Sequence, residues 1–210
     1  MANIYFQCSC QNSLLKPITF AASILGVCGI AVIGYAQSAQ LSSDSGKNKQ
    51  QYEYSLKYFD DEGVQTDLSK GAEWFRKGAD QGNAEAQCFL GICYTKGAGV
   101  PRDFAKAAEW YRKAADQGFA FAQCMLGVCY VKGEGVSKNL TKAVEWFRKA
   151  ADQGFAEAQY NLGLCYANGK GVPKDLTKAE QWYKKAADQG NENAQKELLI
   201  IWLNRSNHDR

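Results

Sequence analysis

Histidine is almost missing from this chain of 210 residues; the single one, His208, lies in the C-terminal tail. Catalysis that turns on a histidine base therefore has no candidate elsewhere. Charge of one sign is also scarce. A formal net charge of +3, evenly spread, excludes nucleic acid as the main partner. The Cys8–Cys10 pair has no second pair at zinc-type spacing, so no metal site is expected. Neither a cofactor nor a small-molecule substrate is expected. Only 3 prolines interrupt the chain, whereas 20 glycines fall at regular intervals. With 46% apolar and 22% charged residues, a packed core is feasible.

Long apolar runs are confined to the N-terminus, where residues 18–35 (ITFAASILGVCGIAVIGY) carry no charge. About 18 apolar residues is the lower limit for a membrane-spanning helix. Residues 1–36 read either as a cleaved export signal, with small residues at Gly34, Ala36 and Ser38 near the cleavage point, or as an uncleaved anchor. A lipoprotein signal at Cys28 is disfavoured by the bulk of Val27 before it. Residues 37–47 are a polar linker. The domain is expected to be displayed from a membrane or exported into the periplasm or beyond.

Residues 48–204 are periodic. Trp74, Trp110, Trp146 and Trp182 recur every 36 residues, as do Gly82, Gly118, Gly154 and Gly190. A period of this size signals a solenoid. Each unit divides into two helices, an A helix and a B helix. In the second unit, Ala86, Leu90 and Tyr94 make an apolar stripe at spacing four, and Gly97 ends that helix. The B helix starts at Asp103, presents Ala107, Trp110, Tyr111 and Ala114, and stops before Gly118. Asp67, Asn139 and Asp175 start the other B helices, and Asp61 stands where the first unit lacks its first glycine. The four tryptophans, having one role in every copy, read as core.

The Gly-x-Gly of YTKGAGVPRD (94–103) recurs as YVKGEGVSKN (130–139) and YANGKGVPKD (166–175). Each copy follows a helix, whereas phosphate-cradling signatures follow a strand. One glycine closes the A helix, the next turns the chain, and Val100, Val136 or Val172 tucks beneath.

The pattern A-x-A-Q-x-x-L-G-x-x-Y-x-x-G-x-G-V, then K-A-x-x-W-[YF]-x-K-A-A-x-Q-G, resembles the Sel-one-like repeat, a relative of the tetratricopeptide repeat. The resemblance implies an all-α fold. It would be a right-handed α/α superhelical solenoid of about four two-helix repeats, with the helix Asn191 to Asn204 as a C-terminal cap and residues 205–210 as a tail. It also implies a non-catalytic scaffold or adaptor that binds other proteins on a concave face. A cysteine-rich branch of that family ties its helix pairs by disulfides and resembles β-lactam-hydrolysing proteins, so a cell-wall-related hydrolase is the alternative. The B helices here carry no cysteine, and the one Ser-x-x-Lys, Ser13 to Lys16, lacks its companion motifs. A purely structural spacer is the third reading. Cys93, Cys129 and Cys165 read as small hydrophobes flanking the core. The odd number of repeat cysteines sits against export to an oxidising compartment.

The helical wheel selects a candidate partner face. Glu85, Phe89, Ile92 and Lys96 fall within about 60° of one another, opposite the core stripe. Their equivalents are Phe121, Met125, Val128 and Lys132, then Glu157, Asn161, Leu164 and Asn168. Two readings stay open: an apolar docking wall, or packing against the A helix of the next unit. The run Leu198 to Leu203 is apolar all round and reads as the cap, with dimerisation or membrane contact as a minor option.

Overall fold

The computed structural model describes residues 68–208. The expected signal or anchor, the linker, Asp61, Asp67 and the first A helix lie outside them. The described residues form α1 (Leu68–Asp80), α2 (Ala84–Lys96), α3 (Phe104–Asp116), α4 (Ala120–Lys132), α5 (Leu140–Asp152), α6 (Ala156–Asn168), α7 (Leu176–Asp188) and α8 (Glu192–His208). Each packs on the next, giving an all-α solenoid. Even-numbered helices are A helices and odd-numbered ones are B helices.

The stops and starts are local chemistry. Asp103, Asn139 and Asp175 accept from the amides of Lys106, Lys142 and Lys178 at 3.0, 2.9 and 2.9 Å, capping α3, α5 and α7. Gly97, Gly133 and Gly169 close α2, α4 and α6 in the left-handed conformation. The next glycine does more than turn the chain. Gly135 has φ +72°, and a Cβ there would overlap the Phe104 carbonyl at the start of the preceding B helix. The Gly-x-Gly loop is therefore a contact between repeats.

The two helix types differ in what they bury. In α3, Ala107, Ala108, Tyr111, Ala114 and Ala115 are buried, one side of an amphipathic helix. In α2, every residue from Ala86 to Tyr94 is buried. An A helix therefore lies between layers, with its own B helix on one side and the preceding B helix on the other. Within a repeat the approach is close: a Cβ on Gly127 would stand 2.6 Å from the Phe147 ring.

Polar links repeat with the period. Gln87, Gln123 and Gln159 are buried. Each side-chain amide donates to the carbonyl of Ala79, Ala115 or Ala151 in the preceding B helix, at 3.2, 3.1 and 3.2 Å. Each side-chain oxygen accepts from Gln117, Gln153 or Gln189 after the following B helix, at 2.7, 2.8 and 2.8 Å. Arg76, Arg112 and Arg148 donate across the same junctions to the hydroxyls of Tyr94, Tyr130 and Tyr166 at 2.8, 2.8 and 2.6 Å.

Two sequence expectations change. The tryptophans are half-buried rather than fully core; Lys113, Lys149 and Lys185 lie 3.8, 4.0 and 4.1 Å from the ring centres of Trp110, Trp146 and Trp182. The fully buried aromatic of each B helix is the next residue, as at Tyr111 and Tyr183. The final helix also runs past Asn204 to His208, taking in residues assigned to a tail. Arg205 holds this extension by a two-pronged pair with Glu180, at 3.2 and 2.6 Å. It packs on α7 and leaves Leu199, Ile200, Trp202 and Leu203 exposed.

Replacing Gly135 by Ala should cost several kcal/mol, since positive φ alone costs about 1–2 kcal/mol and the added carbon meets backbone. Gly118→Ala, where φ is +90° but nothing lies within 4 Å, should cost only the conformational part. Urea denaturation of both variants checks the ordering.

Candidate interaction surface

The candidate face is carried by α2, α4 and α6, and its residues divide by burial. Phe89, Ile92 and Phe121 are buried. Phe89 stacks on Phe75 of α1, with ring centres 5.3 Å apart, and Phe121 meets the Phe155 edge of the next repeat at 5.9 Å. Burial removes these three from an open docking wall, and Phe89 packs on the preceding B helix rather than on the A helix of the next unit. Glu85, Met125, Val128, Glu157, Asn161 and Leu164 are half-buried, and Lys96, Lys132 and Asn168 are exposed. The Asn161 amide lies 3.8 Å from the Cys124 sulfur, so this face also joins successive A helices.

What remains accessible has an order set by helix direction. Glu85 and Glu157 stand in the first turns of α2 and α6, and Lys96 and Lys132 in the last turns of α2 and α4. The face is thus acidic along one edge and basic along the other, with Met125, Val128 and Leu164 between. These placements also suit the helix dipoles. Burial raises the Glu85 and Glu157 carboxyls above the ordinary carboxylate value, while a hydrogen bond from Asn191 at 3.1 Å opposes the shift at Glu157. Two carboxylates are held partly out of water, and among the described residues neither has an ion-pair partner.

The cysteines offer little chemistry. Cys88, Cys93, Cys124, Cys129 and Cys165 are all buried. Burial pushes the Cys93 thiol up to about 12 and those of Cys129 and Cys165 up to about 11. At neutral pH these stay protonated, which suits small hydrophobes. Among the described residues no His/Cys/Asp/Glu group could hold a metal ion, and no helix is long and apolar enough to cross a membrane. The apolar segment 18–35 lies outside them.

Sequence reasoning missed a variation inside the repeat. The Tyr111 hydroxyl meets the Thr95 hydroxyl at 3.0 Å. One repeat on, the same pair is Phe147 and Val131, and both hydroxyls are gone. In the last full repeat it is Tyr183 and Ala167, and the buried Tyr183 hydroxyl has no hydrogen-bond partner among the described residues. Lining up positions 95, 131 and 167 against 111, 147 and 183 would have found it.

The family description that matches is the Sel1 repeat, over residues 51–83, 84–119, 120–155 and 156–191. Among solved structures, the chain is similar to c5321, described as a protective antigen present in uropathogenic Escherichia coli strains and displaying an SLR fold. Identity is 40% and the TM-score 0.71, covering 81% of this chain and 36% of that one. It thus spans about a third of the length of that relative. A Sel1 repeat protein from Oxalobacter formigenes is 43% identical at TM-score 0.56, over 60% of this chain and 95% of that one. Helicobacter pylori cysteine rich protein B is 25% identical at TM-score 0.52, over 65% and 98%. No curated protein matches the sequence.

The two desolvated carboxylates fix the sign of a pH effect. A folded-state value raised above the unfolded one favours the protonated form, so their contribution to stability falls as pH rises through the carboxylate range. Glu85→Gln and Glu157→Gln should therefore raise the melting temperature at neutral pH. The gain should vanish below about pH 4, where both states hold the proton. Thermal melts across that range check it.

Proposed function

Because the chain belongs to the Sel1 repeat family, we propose that it works as a non-catalytic protein-interaction scaffold, held at a membrane or exported by residues 18–35. Sel1 repeat proteins are typically interaction scaffolds. The partner docks on the A-helix face, over Met125, Val128 and Leu164, between the edges carrying Glu85 and Glu157 and carrying Lys96, Lys132 and Asn168. Phe89, Ile92 and Phe121 support that wall from beneath, and Asn161 braces it.

The observation that carries this reading is the pair of half-buried glutamates. Keeping a carboxylate partly out of water costs stability unless something repays it. A cation on a docked partner would do so, and the accessible apolar strip beside it supplies area to bury. The same face ends in exposed lysines, so a partner with a basic and an acidic edge fits in one orientation only.

A photo-crosslinking residue placed at Val128 or Leu164 in cells that make the protein should trap one discrete partner. The same residue at Glu145, exposed on the B helix α5, should not. Adding Met125→Glu should reduce the adduct at least tenfold, about 1.4 kcal/mol of binding. Equal adducts from Glu145 and Val128, or an adduct indifferent to Met125→Glu, would sink the proposal.

A further inference from the structure

The loop between α4 and α5, with Arg112 of α3 and the first turn of α5, borders an open surface pocket of about 300 Å3 that the interaction reading does not use. Arg112, Tyr130, Ser137, Lys138, Asn139 and Lys142 line it, and no acidic residue does. The place lies on the loop edge of the solenoid, between α3 and α5, away from the A-helix face. Arg112 donates to the Tyr130 hydroxyl at 2.8 Å, which leaves the rest of its guanidinium for another acceptor. Lys142 stands over the Tyr130 ring at 5.8 Å.

The sister loops hold similar cations, but each carries an aspartate among them. In the second repeat Lys106 pairs with Asp103 at 3.5 Å, and Arg102 lies on the Phe104 ring at 4.4 Å. In the fourth, Lys178 pairs with Asp175 at 3.2 Å. In the third repeat the aspartate is Asn139; Leu140 replaces the ring of the second repeat, as Leu176 does in the fourth. The proline of both sisters, Pro101 and Pro173, is Ser137, which adds a hydroxyl donor. Among the described residues neither Lys138 nor Lys142 has an ion-pair partner. Arg112, Lys138 and Lys142 thus line one pocket together.

We propose that this pocket binds a phosphate group. A phosphate dianion matches the local charge. It can take the Arg112 fork, the two ammonium groups, the Ser137 hydroxyl and the Asn139 amide as donors, where a planar carboxylate uses fewer. The sister loops, with an aspartate in the position of Asn139, repel the same anion.

The test is calorimetric titration of the full-length chain with inorganic phosphate, methyl phosphate and acetate. Phosphate should bind saturably, about tenfold or more tighter than acetate. Asn139→Asp, which installs the residue both sister loops carry, should weaken phosphate at least tenfold with its thermal melt unchanged. Lys142→Gln should weaken it in the same direction. Methyl phosphate binding as tightly as inorganic phosphate identifies phosphate esters as the ligand class, whereas weaker binding identifies the free anion; either supports the site. No saturable binding by either phosphate, acetate binding as tightly, or full affinity in Asn139→Asp overturns it.

Discussion

Every repeat junction turns on one buried carboxamide. Burying a side-chain amide costs free energy unless both its halves are paired. Gln123 meets that demand with two different repeats: its amide reaches back to Ala115 and its oxygen receives Gln153. An A helix slipped by one residue, or a B helix shifted along its axis, would break both bonds and leave the amide unpaired. An orphaned buried group costs about 1–3 kcal/mol. The glutamines therefore set register, while the apolar contacts around them supply most of the burial energy. Gly127 and Gly135 let the backbones come close enough for those bonds to form.

That arrangement decides where function can sit. An A helix buried on nearly all sides has little surface left for a partner, so the accessible part of its outer face is narrow. B helices expose a charged side, on which Lys113, Lys149 and Lys185 lie across tryptophan rings. The loops between A and B helices are constrained at Gly135 and at the capping residue, and freer between them. Variation without loss of fold collects there, as at Ser137, while at the capping position Asn139 still caps in place of aspartate. A solenoid built on nearest-neighbour contacts can thus carry different chemistry in each repeat on one scaffold.

The period of 36 residues made much of this legible. Helix starts at Asp103, Asn139 and Asp175 and stops at Gly97, Gly133 and Gly169 followed from residue type and position. The partner face was less legible, and the reason is physical. A wheel separates core from surface only when a helix has two unlike sides, and α2 is buried on every side from Ala86 to Tyr94. Phe89 and Met125 occupy the same repeat position, yet one is buried and the other half-exposed. The tryptophans misled for a related reason. A large ring with a lysine laid across it is satisfied at the surface, and sequence periodicity does not distinguish that from a core position. The Tyr183 hydroxyl, without a hydrogen-bond partner among the described residues, was hidden because its pairing depends on two positions rather than on one.

The most direct measurement is urea unfolding of the full chain with Gln123→Met, which keeps the side chain's length and removes its hydrogen bonds. The account expects a loss of roughly 1–3 kcal/mol and a broader transition, as the repeats on either side of α4 uncouple. An unchanged midpoint and slope would contradict it, leaving apolar packing alone to set the register of the repeats.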